Sequence, residues 1–188
     1  MMPYRMTERR PALALSLRVS GRSALVVGSG PGAEERTSRL RAAGATTRQV
    51  APDDYETDMC AGVFLVVAQT GDPDVDRRVA ADGRAAGALA YANDQPDVSD
   101  FGFPALARRG PLSFAIATDA AAPALARRVR EELERLLEEV GPALDGLLDE
   151  LERERAATSP GAARAERLYR MASRLRFAGR LAVDGAGD

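Results

Sequence analysis

Short apolar runs alternate with longer amphipathic stretches up to about residue 118, and amphipathic stretches alone follow. Ser23–Val27 predicts a first strand, and Glu34–Ala43 a helix with Gly44 placed to close it. Thr46–Ala51 predicts a second strand, stopped by Pro52, and residues 53–62 have room for one or two helical turns. Val63–Ala68 is apolar on both faces, as a parallel strand covered by helices should be. Asp74–Ala86 predicts a helix with Val75 and Val79 at i, i+4, and Leu89–Ala92 a further strand. Asn93–Ser99 is a polar turn region, residues 101–109 an aromatic and apolar link, and Leu112–Thr118 another strand. Upstream, Leu13, Leu15 and Leu17 alternate with Ala14, Ser16 and Arg18, the pattern of an edge strand or an extended lead-in. Pro123–Glu139 carries Leu125, Val129, Leu133 and Leu136 on one helical stripe, which Leu144, Leu147, Leu148 and Leu151 continue after Gly141-Pro142. Ser159-Pro160-Gly161 breaks the pattern, and residues 162–182 predict a last, basic helix. The sum is an α/β sheet domain with an α-helical extension.

Between the first strand and its helix lies Gly28-Ser29-Gly30-Pro31-Gly32-Ala33, a G-x-G-x-x-A spacing. A pyrophosphate needs close backbone approach and unpaired N–H donors, and a glycine turn at a helix N-terminus supplies both. Gly28 permits the tight turn, Gly30 lets the backbone approach the phosphates, and Ala33 is small where helix packs on strand. The strand before and the helix after make this a Rossmann-type dinucleotide-binding start. A glycine turn in an α/β protein can also bind nothing. The acid that holds the adenosine ribose is expected about 20 residues on. The second strand ends Arg48-Gln49-Val50-Ala51-Pro52, with Asp53 and Asp54 just beyond. Arg48 would suit a 2′-phosphate, so residues alone leave NAD and NADP both open.

Composition narrows the chemistry. The chain of 188 residues has no His, and all 26 basic residues are Arg. That excludes a His base or metal ligand, a Walker lysine and a Schiff-base lysine, and leaves proton transfer to Asp, Glu, Tyr, Cys or water. The lone Cys60 allows no intramolecular disulfide and no Cys-rich metal site. No metal site is expected. The net charge of −2 gives no drive toward nucleic acid or membrane. No signal peptide and no apolar run long enough to span a bilayer are evident, so a cytoplasmic protein is expected.

Five blocks in one order extend the glycine turn into a resemblance. They are Ala24 to Ala33, Phe64 to Pro73 with Gln69-Thr70 inside it, Asn93-Asp94-Gln95-Pro96, Ser99 to Ala105, and Arg109-Gly110-Pro111-Leu112 through Ala124-Leu125-Ala126-Arg127-Arg128. Over Ser23–Leu137 the chain resembles the precorrin-2 dehydrogenase family, which includes the N-terminal part of bacterial siroheme synthase and a bifunctional dehydrogenase–ferrochelatase. The resemblance implies oxidation of precorrin-2 to sirohydrochlorin with NAD⁺ and, in some members, insertion of Fe²⁺ as a further substrate. It implies a homodimer. It divides the chain into a dinucleotide-binding Rossmann-like domain at 1–107, a dimerisation region at 108–157 and a short C-terminal helical segment at 158–188.

The resemblance also assigns residues. Gly28, Ser29, Gly30, Pro31, Gly32, Ala33 and Thr70 would bind the cofactor. Asp94 aligns with the aspartate regarded as the catalytic acid/base, which agrees with the absence of His. Its plainer reading is a turn residue. Thr118 aligns with a Ser or Thr near the substrate pocket. Arg108, Arg109, Arg127 and Arg128 would pair with substrate carboxylates, since Arg forks match carboxylate geometry. The alternative for these arginines is a solvated helix face or a salt-bridge set.

Three departures bear on activity. The family's extra helix and strand between Pro52 and Phe64 are missing or replaced. Asp119-Ala120 stands where a glycine pair follows Thr118, and Tyr91 stands where Asn precedes the catalytic Asp by three residues. They motivate an alternative: a member that binds dinucleotide or tetrapyrrole without turnover.

Overall fold

Leu25, Val26, Val27, Val66 and Val67 are at most 1% exposed, and the fold is organised around the two strands they form. The computed structural model describes residues 12–118 and 122–176. The chain divides into two units, Met1–Pro104 with Ala117–Pro123, and Ala105–Ile116 with Ala124–Asp188.

The first unit carries a four-stranded parallel sheet in the order β2-β1-β3-β4. Its strands are β1 (Ser23–Val27), β2 (Thr46–Val50), β3 (Leu65–Ala68) and β4 (Leu89–Ala92). Helix α1 (Pro31–Ala42) joins β1 to β2, and α2 (Pro73–Ala85) joins β3 to β4. Because side chains alternate along a strand, the two faces recruit different helices. Ala24, Val26, Leu65 and Val67 pack with Ala33 and Leu40 of α1. Leu25, Val27, Val66 and Ala68 pack with Val79 of α2. Helix α2 lies so close that a Cβ on Gly83 would sit 2.9 Å from the Cβ of Val66. Asp72 caps α2 by accepting from Asp74 N–H at 2.9 Å and Val75 N–H at 3.3 Å. Strand order reverses between β1 and β3, so their carboxyl ends form the crevice where open α/β sheets bind ligands.

The expected replacement between Pro52 and Phe64 consists of two 3₁₀ turns, Pro52–Asp54 and Thr57–Cys60. They carry the chain from edge strand β2 past β1 to β3 and are tied to α2. The Tyr55 hydroxyl donates to Asp82 Oδ2 at 2.9 Å and lies 3.3 Å from Cys60 Sγ, while Thr57 Oγ1 donates to the same Asp82 oxygen at 3.0 Å. Burial first, then the Cys60 and Asp82 contacts, push the Tyr55 phenol well above its ordinary pKa.

Two expectations are corrected here. Of the two readings of Leu13, Leu15 and Leu17, the edge strand is overturned and the lead-in remains: residues 12–19 lie in no strand, and Leu13 and Leu15 are exposed. The link at 101–109 is extended only to Pro104, and Ala105–Arg109 is strand β5, paired antiparallel with β6 (Leu112–Ile116). Phe101 and Phe103 pack with Tyr91 at ring separations of 5.8 and 5.1 Å. Arg36 lies 4.5 Å above the Phe103 ring, and Arg39 donates to the Pro104 carbonyl at 2.9 Å, which fastens the link to α1.

The second unit combines the β5–β6 hairpin with α3 (Pro123–Glu139), α4 (Gly141–Ala157) and α5 (Ala162–Ala172). Ala107, Leu137 and Leu144 form its core, with Leu112, Phe114, Leu133 and Leu148 packed around them. Helix α5 is tied to α4 by Arg167–Glu154 at 3.1 Å and Arg174–Glu150 at 2.5 Å. The expected last helix at 162–182 ends at Ala172, and residues beyond 176 lie outside the described residues. Among the described residues no helix is long and apolar enough to cross a membrane.

Candidate functional site

The ends of β1, β3 and β4 are held in one row. Gln69 N–H donates to Val27 O at 2.8 Å, and Asn93 N–H donates to Ala68 O at 3.0 Å. Each strand therefore hands its following loop to the same edge of the sheet. Adjacent strands are about 4.8 Å apart, so the loop after β4 is roughly 10 Å from the loop after β1.

The loop after β1 is the glycine turn. Gly28 has φ 151°, and a Cβ there would lie 2.1 Å from Gln69 O, so only glycine fits between the two strand ends. Gly30 has φ 81° and would place a Cβ in open space. The turn is closed behind and open in front. Gly30 precedes α1, and its carbonyl accepts the Glu34 N–H at 3.1 Å. Pro31 takes the first helical position, where its missing N–H costs nothing. The N–H groups of Gly32 and Ala33 have no intrahelical acceptor, and the helix dipole adds to their pull on an anion. Ser29 is exposed beside them, and Ala33 is buried against the strand. These residues fit a pyrophosphate.

Gln69 forms the floor behind the turn. A Cβ at Gly32 would come within 2.6 Å of Gln69 Nε2, and Gln69 Oε1 accepts from Arg36 Nε at 3.4 Å. On the β2 side, Gln49 donates to Gly28 O at 3.2 Å and accepts from Thr37 Oγ1 at 2.8 Å. Thr70 is fixed by Asp76, a carboxylate 2% exposed. Its Oδ1 accepts the Thr70 N–H at 2.8 Å and the Thr70 hydroxyl at 2.7 Å. The Thr70 hydroxyl proton is thus directed inward, and its oxygen also accepts from Asp72 N–H at 3.2 Å.

Asp94 follows β4 and is exposed. Its φ of 54° makes it the one non-glycine residue in the left-handed region among the described residues, a conformation Asp tolerates better than most. Asn93 Nδ2 donates to its Oδ2 at 3.4 Å, and the Tyr91 hydroxyl donates to Asn93 Oδ1 at 3.2 Å. Burial raises the Tyr91 phenol above its ordinary pKa, partly offset by Arg36. Behind Asp94, Gln95 is buried, with Nε2 donating to Pro73 O at 2.9 Å and Oε1 without a hydrogen-bond partner.

The structure brings Gly28 through Ala33, Thr70 and Asp94 to one row of strand ends. Thr118 lies in the same unit, where its Oγ1 accepts from Ala122 N–H at 3.4 Å. Asp119 and Ala120 lie outside the described residues. The four arginines belong to the second unit. Arg109 is committed there: it grips Asp145 through Nε at 2.8 Å and Nη2 at 2.5 Å, and its guanidinium lies where a Cβ on Gly141 would sit. Arg127 pairs with Glu131 at 3.0 Å, and Arg128 pairs with Glu132, on the exposed face of α3. Arg108 is exposed and has no ion-pair partner among the described residues. Among the described residues no group of three His, Cys, Asp or Glu side chains is placed to hold a metal ion.

Sequence reasoning missed Gln69, Gln49 and Asp76. Asp76 left a signal: it lies three, four and seven residues before Val79, Ala80 and Gly83, on the buried stripe of α2. An acid on an apolar stripe needs a partner inside.

Residues 15–105 match a family model described as "Putative NAD(P)-binding". The siroheme synthase of Tolumonas auensis is 35% identical over 142 residues, covering 66% of this chain and 30% of that protein. The siroheme synthase of Gluconacetobacter diazotrophicus is 34% identical over 183 residues, covering 82% of this chain and 38% of that protein. The chain thus spans about a third of the length of these relatives. A solved structure titled SirC, precorrin-2 dehydrogenase, shares the fold with a TM-score of 0.68 at 24% identity, covering 85% of this chain and 89% of that one.

Proposed function

We propose, since the chain belongs to the precorrin-2 dehydrogenase family that includes the N-terminal part of siroheme synthase, that it is an NAD-dependent dehydrogenase oxidising precorrin-2 to sirohydrochlorin. One observation carries this reading. An anion cradle at Gly28–Ala33 and an exposed carboxylate on Asp94 stand on the same row of strand ends, roughly 10 Å apart. A dinucleotide with its pyrophosphate on the cradle would extend along that row of strand ends.

Bound NAD⁺ supplies the hydride acceptor. The cradle N–H groups of Gly32 and Ala33 would hold the pyrophosphate, with Gly28, Ser29, Gly30 and Pro31 shaping the turn. Thr70, pinned by Asp76, would line the cofactor beyond the cradle, after β3. Asp94 takes the proton that leaves precorrin-2 as the hydride departs, so the products are sirohydrochlorin, NADH and a proton. The same carboxylate suits the removal of pyrrole protons, and ferrochelation with Fe²⁺ as substrate is the second activity in this proposal. Thr118 is assigned to the substrate pocket, and Arg108, Arg127 and Arg128 to the substrate's carboxylates. The Arg127 and Arg128 pairs are exposed pairs within one helix that contribute little to stability, so they are readily exchanged for substrate. Arg109 is left out of this set because Asp145 already holds it. Two chains would associate through residues 108–157, where Leu125, Leu136 and Val140 are exposed, and the reaction is assigned to the cytoplasm.

Asp94→Asn tests the proposal. Loss of a positioned proton acceptor lowers turnover by about 10²–10⁴-fold, while NAD⁺ affinity, measured by calorimetry, stays within about threefold of wild type. Wild-type turnover in the variant would overturn the role of Asp94. Binding of NAD⁺ by the wild type without any sirohydrochlorin would mark a member that binds and does not turn over.

A further inference from the structure

We propose that Tyr91 is a positioning residue for Asp94: its hydroxyl orients the Asn93 amide, and that amide steadies the Asp94 carboxylate; this rests on the dehydrogenase reading of the site. The backbone around Asp94 is fixed from both sides. Asn93 N–H donates to Ala68 O at 3.0 Å, and Gln95 N–H donates to Ala92 O at 3.2 Å. The Ser99 hydroxyl accepts from Ala92 N–H at 3.0 Å and donates to Gln95 O at 2.8 Å. These bonds hold Asp94 at its φ of 54°. They do not set the direction of its carboxylate, which is exposed.

The Asn93 amide supplies that direction, with Nδ2 donating to Asp94 Oδ2 at 3.4 Å. The ends of an amide are nearly alike in shape but opposite in hydrogen bonding. Turned over, the same side chain would set its carbonyl oxygen against the carboxylate. The partner on the far side decides between the two, and that partner is the Tyr91 hydroxyl, which donates to Asn93 Oδ1 at 3.2 Å. Tyr91 and Asn93 alternate around Ala92 at the end of β4, so strand geometry puts both side chains on one face. The ring is held there by Phe103, edge-on at 5.1 Å, and by Phe101 at 5.8 Å. Burial raises the phenol above its ordinary pKa against the opposing pull of Arg36, so at neutral pH the hydroxyl keeps the proton it donates. The Asp94 charge also raises it, which places the two groups within each other's field. A residue that departs from the family pattern thus serves the family's aspartate through the one side chain between them.

Tyr91→Phe removes the hydroxyl and keeps the ring. Steady-state oxidation of precorrin-2 by the full chain with NAD⁺ is expected to show kcat lowered at least about tenfold, because a misplaced reacting group is costly. KM for precorrin-2 and Kd for NAD⁺ are expected to stay within about threefold, since no ground-state contact is removed. In an Asp94→Asn background the same substitution should cost less than about twofold, because a residue that acts through Asp94 has nothing left to act on. A merely structural role would lower both backgrounds alike. Wild-type kcat in Tyr91→Phe, or equal losses in the two backgrounds, would overturn the proposal. The Asn93 side-chain amide resonance of the full chain reads the same contacts without turnover. It is expected to shift in Tyr91→Phe and in Asp94→Asn, and a resonance indifferent to either substitution would also sink the proposal. A wild type that oxidises no precorrin-2 but shows both shifts would remove the dehydrogenase and leave the Tyr91 contact standing.

Discussion

Gly28 and Gly30 are two residues apart in one turn, yet substituting each by Ala should damage different properties. At Gly28 the new methyl would lie 2.1 Å from Gln69 O and 2.7 Å from its carbonyl carbon, both backbone atoms that cannot swing aside. Overpacking of this kind costs about 1–3 kcal/mol, and a side chain at positive φ adds roughly 1–2 kcal/mol. The sum, about 2–5 kcal/mol, corresponds to a fall in Tm of roughly 5–20 °C for a chain of this size. At Gly30 a Cβ meets nothing within 4 Å, so only the backbone term remains, roughly 1–2 kcal/mol. The same methyl stands where the pyrophosphate approaches. Losing one charge-assisted hydrogen bond there costs about 1.5–3 kcal/mol, or roughly 10- to 150-fold in the Kd for NAD⁺. Thermal unfolding by circular dichroism and calorimetric titration with NAD⁺ read the two effects separately. Gly30→Ala binding NAD⁺ like the wild type would refute the assignment of the open face to the phosphates. Gly28→Ala melting with the wild type would refute the close approach of β1 and β3 loops.

Two further outcomes follow from the carboxylates of Asp76 and Asp100. Asp76→Ala leaves the Thr70 N–H without its acceptor and should cost about 1–3 kcal/mol in denaturant unfolding. Asp76→Asn, which keeps an oxygen, should cost less. At Asp100, burial pulls the carboxyl pKa up, but the Arg84 guanidinium and the Ala90 N–H together hold it below its ordinary value. The unfolded chain therefore binds that proton more readily than the folded one. This stabilisation is full above the unfolded pKa of about 3.9 and is lost as pH falls through the lower folded value. Asp100→Asn should flatten the acid limb of the stability–pH curve, and an unchanged limb would remove Asp100 from the account.

The α/β alternation was legible because β1 and β3 are buried on both faces, which leaves short runs of Val, Leu and Ala that a surface strand cannot carry. The cradle was legible because its function depends on residues adjacent in sequence. Strand β5 was hidden: Ala105-Leu106-Ala107-Arg108-Arg109 has no β-branched residue, and only its antiparallel partner makes it a strand. The arginine pair was read as a unit, yet consecutive strand residues face opposite ways. That puts Arg109 against Asp145 and leaves Arg108 exposed. Gln69, Gln49 and Asp76 escaped because each acts across 6 to 33 residues of sequence, on Thr70, on Gly28 and Thr37, or on Arg36. No local spacing encodes such contacts.

The central claim is that the cradle and Asp94 serve one reaction. Precorrin-2 added anaerobically to the purified protein with NAD⁺ tests it most directly, with sirohydrochlorin followed by its absorbance and NADH by its own. The account predicts that the two products appear together in equal amounts and that neither appears without the protein. NAD⁺ bound by calorimetry with precorrin-2 left unchanged would contradict it.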